Sequence, residues 1–274
     1  MAEKLNKSRL AKKLGVCRST LYYRSKKLIQ DEQDKQLIEE VMLSNPSYGH
    51  KRIAIELGIN KKKALRLMKK YGLKPRIRRG KKPAKPDDAG LPETNYCNEV
   101  KMICPLVPNL IWYGDFTYIR FKNSFIYLAT IVDAYTREIV GFAISRRHNR
   151  FLVKAAVLDA IKKRGVLPHY FHSDQGSEYR SSEHADFLER LGVIVSMSRK
   201  ASPWENGYQE SFYSQFKLEL GNINYLENDG QLAEAIYRQI YYYNNNRIHT
   251  TLKMSPKQFY QLAALKVGGL NKSV

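Results

Sequence analysis

The sequence predicts a mixed α/β domain behind a small, basic, all-helical front end, and three observations carry that reading. From about residue 110 the pattern runs strand, strand, strand, helix, strand, helix, strand, helix, the layout of a central sheet covered by helices. Before that point the apolar residues recur at helical spacing and are punctuated by Gly and Pro. The charge is also lopsided. Residues 1–90 hold 25 Lys/Arg against 9 Asp/Glu, a net of +16, whereas residues 91–274 hold 22 against 17, a net of +5. A basic half joined to a nearly balanced half points to a front that holds a polyanion and a back with another task.

The elements follow in order. Ser8 to Leu14 reads as a short amphipathic helix stopped by Gly15, and residues 19–24 as a second helix after the turn at Val16-Cys17. Two short crossed helices with Arg18 opening the second suit docking on DNA. Asp34 to Leu43 is helical, with Leu37, Ile38, Val41 and Met42 on one stripe, and Asn45-Pro46-Ser47-Tyr48-Gly49 breaks it. Lys51 to Leu57 is closed by Gly58, and Asn60 caps a helix from Lys61 to Tyr71 that Gly72 ends. That helix carries Lys61, Lys62, Lys63, Arg66, Lys69 and Lys70 with no acid among them. Six like charges repel one another, so they are expected to face phosphate. Residues 74–92, with Arg76, Arg78 and Arg79, hold too few apolar residues to bury and read as an extended basic linker along a phosphate backbone.

Residues 110–119, 125–133 and 138–145 form a three-strand antiparallel meander with turns at 122–124 and 134–137. A helix over 152–163, a strand over 169–172, a helix over 182–191, a strand over 193–197 and a helix from about Asn206 to Leu220 complete the layout. Residues 233–243 add a Tyr-rich helix whose rings are expected to pack rather than to stack on bases. No apolar run nears the roughly 18–20 residues that span a bilayer, and the three cysteines form no CxxC pair, so neither a membrane partner nor a zinc site is expected.

Three acids fall where this layout converges. Asp115 lies in a strand that otherwise wants burial, a costly place for a carboxylate unless it is paired or holds a cation. Asp174 sits just past the fourth strand, and strand ends are where α/β sites gather. Glu210 is on the late helix with Asn206 and Lys217 on the same face, beside an apolar stripe of Tyr208, Phe212, Phe216 and Leu220. Taken singly, each acid is ordinarily a turn, cap or surface residue. Lys217 reads as a phosphate contact or a plain surface lysine, and Asn206 as a partner of Glu210 or of DNA.

The ordered set Asp115, Asp174, 35 intervening residues and Glu210 resembles the Asp/Asp/Glu signature of retroviral integrases and bacterial insertion-sequence transposases. The surrounding words are more specific. "HSDQGSEY" (172–179), "SMSRKASPWENGYQESFYSQFK" (196–217) and "YYNNNRIHTTLKMSP" (242–256) are similar to the downstream-frame transposases of copy-out, paste-in insertion sequences, and "YGHKRIAIELGIN" (48–60) to their accessory helix-turn-helix. The likeness implies a ribonuclease-H-like integrase core with a mixed five-stranded sheet over 109–226. It also implies a short helix-turn-helix over 1–30, a second over 31–73, a basic linker over 74–108 and a helical extension over 227–274.

It implies further that Asp115, Asp174 and Glu210 bind two Mg²⁺ ions, with Mn²⁺ able to substitute, for cleavage and 3′-OH strand transfer at the element's terminal repeats. The expected partners are double-stranded DNA, at transposon ends and target, and further copies of the chain in a dimer or larger assembly. A fusion with the upstream-frame product is a further expected partner, and the bacterial cytoplasm the expected compartment. The rival readings are a non-catalytic DNA-binding regulator, which would have no need of the acids, and a plain nuclease, which has little use for two basic front modules.

Overall fold

The computed structural model of the chain describes residues 7–23, 26–77, 96–176, 178–179, 181–199 and 207–270. It divides into two compact units, 1–75 and 76–274. None of the described helices is long and apolar enough to cross a membrane.

Among the described residues the first unit has only helical elements: α1 (Lys7–Lys13), a 3-10 turn (Arg18–Tyr22), α2 (Lys26–Ser44), α3 (His50–Glu56) and α4 (Lys61–Lys70). The expected second helix at 19–24 is this single 3-10 turn. The helix expected from Asp34 begins eight residues earlier, at Lys26, because no Gly or Pro interrupts residues 26–33. Asn60 caps α4 as expected, its side chain accepting the Lys62 N–H at 2.8 Å. Ile38, Ile53, Ala64, Leu67 and Met68 are buried from α2, α3 and α4.

The second unit is built on β1 (Ile111–Phe121), β2 (Ser124–Asp133), β3 (Ile139–Ser145), β4 (Tyr170–Ser173) and β5 (Ile194–Met197), in spatial order β3-β2-β1-β4-β5. β1, β2 and β3 are antiparallel, whereas β1 pairs with β4, and β4 with β5, in parallel. The helices are α5 (Arg150–Arg164), α6 (Ser182–Arg190), α7 (Gly207–Leu220), α8 (Asp229–Asn245) and α9 (Pro256–Leu270). A mixed five-stranded sheet flanked by helices is what the likeness implied.

Strand alternation divides the core between the two faces of the sheet. Trp112 on β1, with Ala129 and Ile131 on β2, packs against Leu152, Val153, Ala156, Val157 and Ala160 of α5. On the other face Ile119, Phe121, Ile126 and Leu128 meet Phe212, Tyr213 and Phe216 of α7 and Leu232, Ile236, Ile240 and Tyr243 of α8. The Tyr-rich segment is therefore a core helix, longer than its expected span of 233–243, and Tyr243 is one of its buried residues.

α5 lies almost in contact with β3 because Gly141 has no side chain. A Cβ there would come within 2.4 Å of both the Ala156 carbonyl oxygen and the Ala160 nitrogen. Both obstacles are helix backbone and cannot turn aside, so Gly141→Ala should cost about 1–3 kcal/mol as α5 is pushed off the sheet. Urea titration of the variant beside wild type checks this; an unchanged midpoint would mean that α5 is not seated as described.

Candidate active site

Asp115 and Asp174 are brought together by the parallel pairing of β1 with β4. Ile111 lies beside Tyr170 and Tyr113 beside His172, so the same register carried two residues further sets Asp115 level with Asp174. Asp115 Oδ1 accepts its neighbour's N–H, that of Phe116, at 2.7 Å. Asp174 Oδ1 accepts the Gly176 N–H at 3.0 Å, which turns the loop after β4 back on itself. Gln175 ties that loop to the end of β5, its Nε2 donating to the Ser198 carbonyl at 3.1 Å.

Glu210 is delivered by α7, whose seating depends on two buried polar side chains. Gln209 is fully buried; its Nε2 donates to the Tyr113 carbonyl at 2.6 Å and the Thr130 carbonyl at 3.2 Å, and its Oε1 accepts the Thr130 hydroxyl at 3.1 Å. The Tyr213 hydroxyl donates to the main-chain carbonyl of Asp115 at 2.7 Å. Phe212 and Phe216 fill the apolar layer on the same side. The next residue after Gln209 then points away from this buried seam, and Glu210 is exposed in the first turn of the helix.

The electrostatics tie the acids into one site. Burial pushes the Asp115 carboxyl well above the usual carboxylate range, the Asp174 charge adds to this, and the Glu210 charge adds further. The Phe116 N–H and the Lys217 charge oppose it. Asp174 is also raised, by burial first and by the Glu178 charge, against the Gly176 hydrogen bond. With two desolvated carboxyls and a third in electrostatic reach, ionising Asp115 is costly until a cation offsets the charge. Among the described residues no three His, Cys, Asp or Glu side chains stand close enough to enclose a metal by themselves.

The other expected site residues are spread more widely. Lys217 reaches back toward Asp115, and its Nζ lies 4.8 Å from the centre of the Tyr118 ring. Arg76 is exposed, with its guanidinium beside Gly221 at the end of α7. Asn206, Arg78 and Arg79 lie outside the described residues. Arg18 is exposed on its 3-10 turn.

On α4, three of the six cations also have acidic partners within the unit. Arg66 forms a two-pronged pair with Asp31 at 2.6 and 2.8 Å, Lys70 joins the same carboxylate at 2.9 Å, and Lys63 pairs with Asp34 at 2.6 Å. The acids that offset these three cations come from α2, more than one element away in sequence. Lys61, Lys62 and Lys69 remain exposed.

Sequence reasoning missed Gln209, Tyr213 and Glu178. Glu178 is buried and pairs with His148 at 3.1 Å, and the imidazole packs 4.3 Å from Phe116 and 5.0 Å from Tyr127. The only signal in the sequence was position: Gln209 abuts Glu210, and Glu178 stands four residues after Asp174.

Comparison with known proteins gives the family. Residues 106–203 and 191–256 each match a family model described as an integrase core domain. The transposase for insertion sequence element IS904 of Lactococcus lactis is 38% identical over 174 residues, covering 62% of this chain and 68% of that protein. Transposase InsF for insertion sequence IS3A of Escherichia coli is 28% identical over 262 residues, covering 90% and 91%. In fold the chain is similar to the simian T-cell lymphotropic virus intasome solved with PP2A regulatory subunit B56 gamma, with TM-score 0.51, 19% identity, and 82% of this chain and 74% of that one covered. A match across two thirds of a relative at that identity, over a sheet of the kind described above, shows that the chain belongs to the insertion-sequence transposases with an integrase core, enzymes of the DDE transposase and integrase class.

Proposed function

We propose that this transposase cleaves DNA at the terminal repeats of its own element and joins the freed 3′-OH to a second phosphodiester, with Asp115, Asp174 and Glu210 as the catalytic carboxylates. The observation that carries the reading is the placement of Asp115 level with Asp174 where β4 ends against β1, with Glu210 on a helix fixed to the sheet by Gln209 and Tyr213.

The donor set fits Mg²⁺, with Mn²⁺ as a substitute. Its ligand atoms are hard carboxylate oxygens, and desolvation makes the negative charge of Asp115 and Asp174 costly until a cation offsets it. Mg²⁺ is commonly held by one or two carboxylates and completed by water and substrate phosphate. Two such ions supply the Lewis acidity that activates an attacking oxygen and stabilises a leaving one.

The chain's own residues do the rest. Asp115 and Asp174 are held rigidly by the strand register and by the Phe116 and Gly176 N–H groups. Glu210 approaches from a helix that is anchored one residue earlier. Lys217 offers a cation to a DNA phosphate on the rim of the same pocket. Lys61, Lys62, Lys63, Arg66, Lys69 and Lys70, with Arg18, Arg76, Arg78, Arg79 and Asn206, supply further DNA contacts, the front helices reading the terminal repeat. Two ends must be paired before joining, so a dimer or larger assembly forms on DNA, in the bacterial cytoplasm, either from this chain alone or from its fusion to an upstream-frame product.

The test is a strand-transfer assay in Mg²⁺ or Mn²⁺ on a labelled duplex carrying the element's own terminal repeat, with Glu210→Gln beside wild type. Joined product is expected from wild type and a loss of at least about a hundredfold in the variant. If both proteins bind the duplex and neither joins it, even with the upstream-frame product supplied, the chain is a DNA-binding regulator instead.

A further inference from the structure

Beyond the acids, β1 runs on without a neighbour on one side. β4 pairs only with Ile111, Trp112 and Tyr113, so from Asp115 to Phe121 no described strand borders that edge. Two large rings stand in the open at this end of the hairpin: Tyr118 is 59% exposed and Phe125 46% exposed, with centroids 5.5 Å apart and planes at 87°. Exposed aromatic area of this kind on a hairpin is unfavourable in water unless something covers it.

The surroundings say what covers it. Lys217 lies over the Tyr118 ring while its charge also acts on Asp115, so one cation touches both the ring pair and the acid pocket. Arg120, exposed and opposite Phe125 in the β1–β2 register, adds a second positive charge. Tyr118 is three residues from Asp115, about 10 Å along an extended strand at roughly 3.3 Å per residue and, by alternation, on the other face, so a nucleic-acid strand that meets both passes over the open edge of β1. An apolar protein partner has no use for cations at the rim; a nucleotide has use for both parts, the ring for its base and the cations for its phosphates.

We infer that Tyr118, backed by Phe125, is a stacking site for an unpaired nucleobase of the DNA strand whose phosphodiester is held at Asp115 and Asp174. The base is an unpaired one: inside the duplex both faces are covered by neighbouring pairs, and a base released from its partner can turn out of the helix onto a single protein ring. Stacking offsets the cost of opening the end of the duplex. The inference rests on the reading of the acids as the strand-transfer site.

Two measurements separate the failure of one from the failure of the other. In strand transfer on fully paired ends, Tyr118→Ser should fall about 5- to 150-fold while Tyr118→Phe stays within about twofold of wild type. On ends whose terminal pair is mismatched the opening cost is already met, so Tyr118→Ser should recover to within about threefold. A serine variant equal to wild type on paired ends, or equally impaired on both kinds of end, overturns the stacking site and leaves the acids untouched.

The second measurement needs no joining. With 2-aminopurine at an unpaired terminal position of the same DNA, wild type and Tyr118→Phe should quench its emission on binding and Tyr118→Ser should not. Equal quenching by all three overturns the inference even if no DNA is joined. Tyr118 is exposed, so melting curves of the three proteins should coincide.

Discussion

Asp115→Asn is expected to abolish strand transfer, by at least about a thousandfold, and at the same time to make the protein more stable. The two effects have one cause. The Asp115 carboxyl is pushed well above the usual carboxylate range, by burial first and by the Asp174 charge second. A carboxylate whose folded-state pKa is raised carries no penalty below its unfolded pKa. The penalty grows as pH rises from there and is complete once the folded pKa is passed. The stability gap between the asparagine variant and wild type should therefore be absent in strong acid, open as pH rises, and hold at its largest value beyond. Asparagine keeps an oxygen to accept the Phe116 N–H, so the strand is not disturbed.

Melting curves from pH 3 to 9 in a chelator check this, and each kcal/mol of relief appears as about 2–4 °C in a chain of this size. Addition of Mg²⁺ should then raise the wild-type midpoint more than that of the variant, because a cation bound only by the folded protein stabilises it by mass action. A variant less stable than wild type at every pH would mean that Asp115 is a structural residue.

The second large effect concerns the seating of α7. Arg247 and Glu219 form a buried pair, their side chains 3% and 8% exposed, with Nε 2.7 Å from Oε1. The Arg247 Nη2 also donates to Gln215 Oε1 at 3.1 Å, and Gln239 Nε2 of α8 donates to the other Glu219 oxygen at 3.0 Å. The cluster thus clamps the last turns of α7, which bears Glu210 at its other end, to α8 and the segment after it. Arg247→Ala leaves the Glu219 carboxylate buried without its cation, at a cost of about 3–5 kcal/mol. A fall in melting temperature on the order of 10 °C should follow, with strand transfer lost well below the wild-type melting point. Replacing both partners with apolar residues, as in Arg247→Met with Glu219→Leu, should recover most of the stability. A single variant within about 1 kcal/mol of wild type by urea titration would show that the pair does not clamp α7.

The parts legible in the sequence were those with a strong local signal. The β1–β3 meander announced itself by β-rich runs between polar turns, and Asn60 by its position before a helical stripe. The apolar stripe Tyr208, Phe212, Phe216 and Leu220 marked the docking side of α7 from spacing alone.

What could not be read depends on contacts distant along the chain. Gln209 looks like any polar helix residue until its amide is seen facing two sheet carbonyls 96 and 79 residues away. Lys63, Arg66 and Lys70 read as cations without acidic partners because their acids, Asp31 and Asp34, sit on another helix. Glu178 read as part of a motif, yet its partner His148 comes from the turn before α5. α9 gave no stripe strong enough to be noticed, and the second short helix at the front proved to be one 3-10 turn.

The most direct test of the central claim, that Asp174 shares a divalent-cation strand-transfer site with Asp115 and Glu210, is metal rescue of Asp174→Cys. A thiolate is a softer ligand than a carboxylate and prefers softer cations to Mg²⁺. With the terminal-repeat duplex, the variant should be inactive in Mg²⁺ and regain joining when Mn²⁺ or Cd²⁺ is supplied, while Asp174→Ala stays inactive in all three. If Asp174→Cys joins DNA in Mg²⁺ as wild type does, or if Asp174→Ala is rescued equally well, the carboxylate of Asp174 does not hold the metal and the proposed site is wrong.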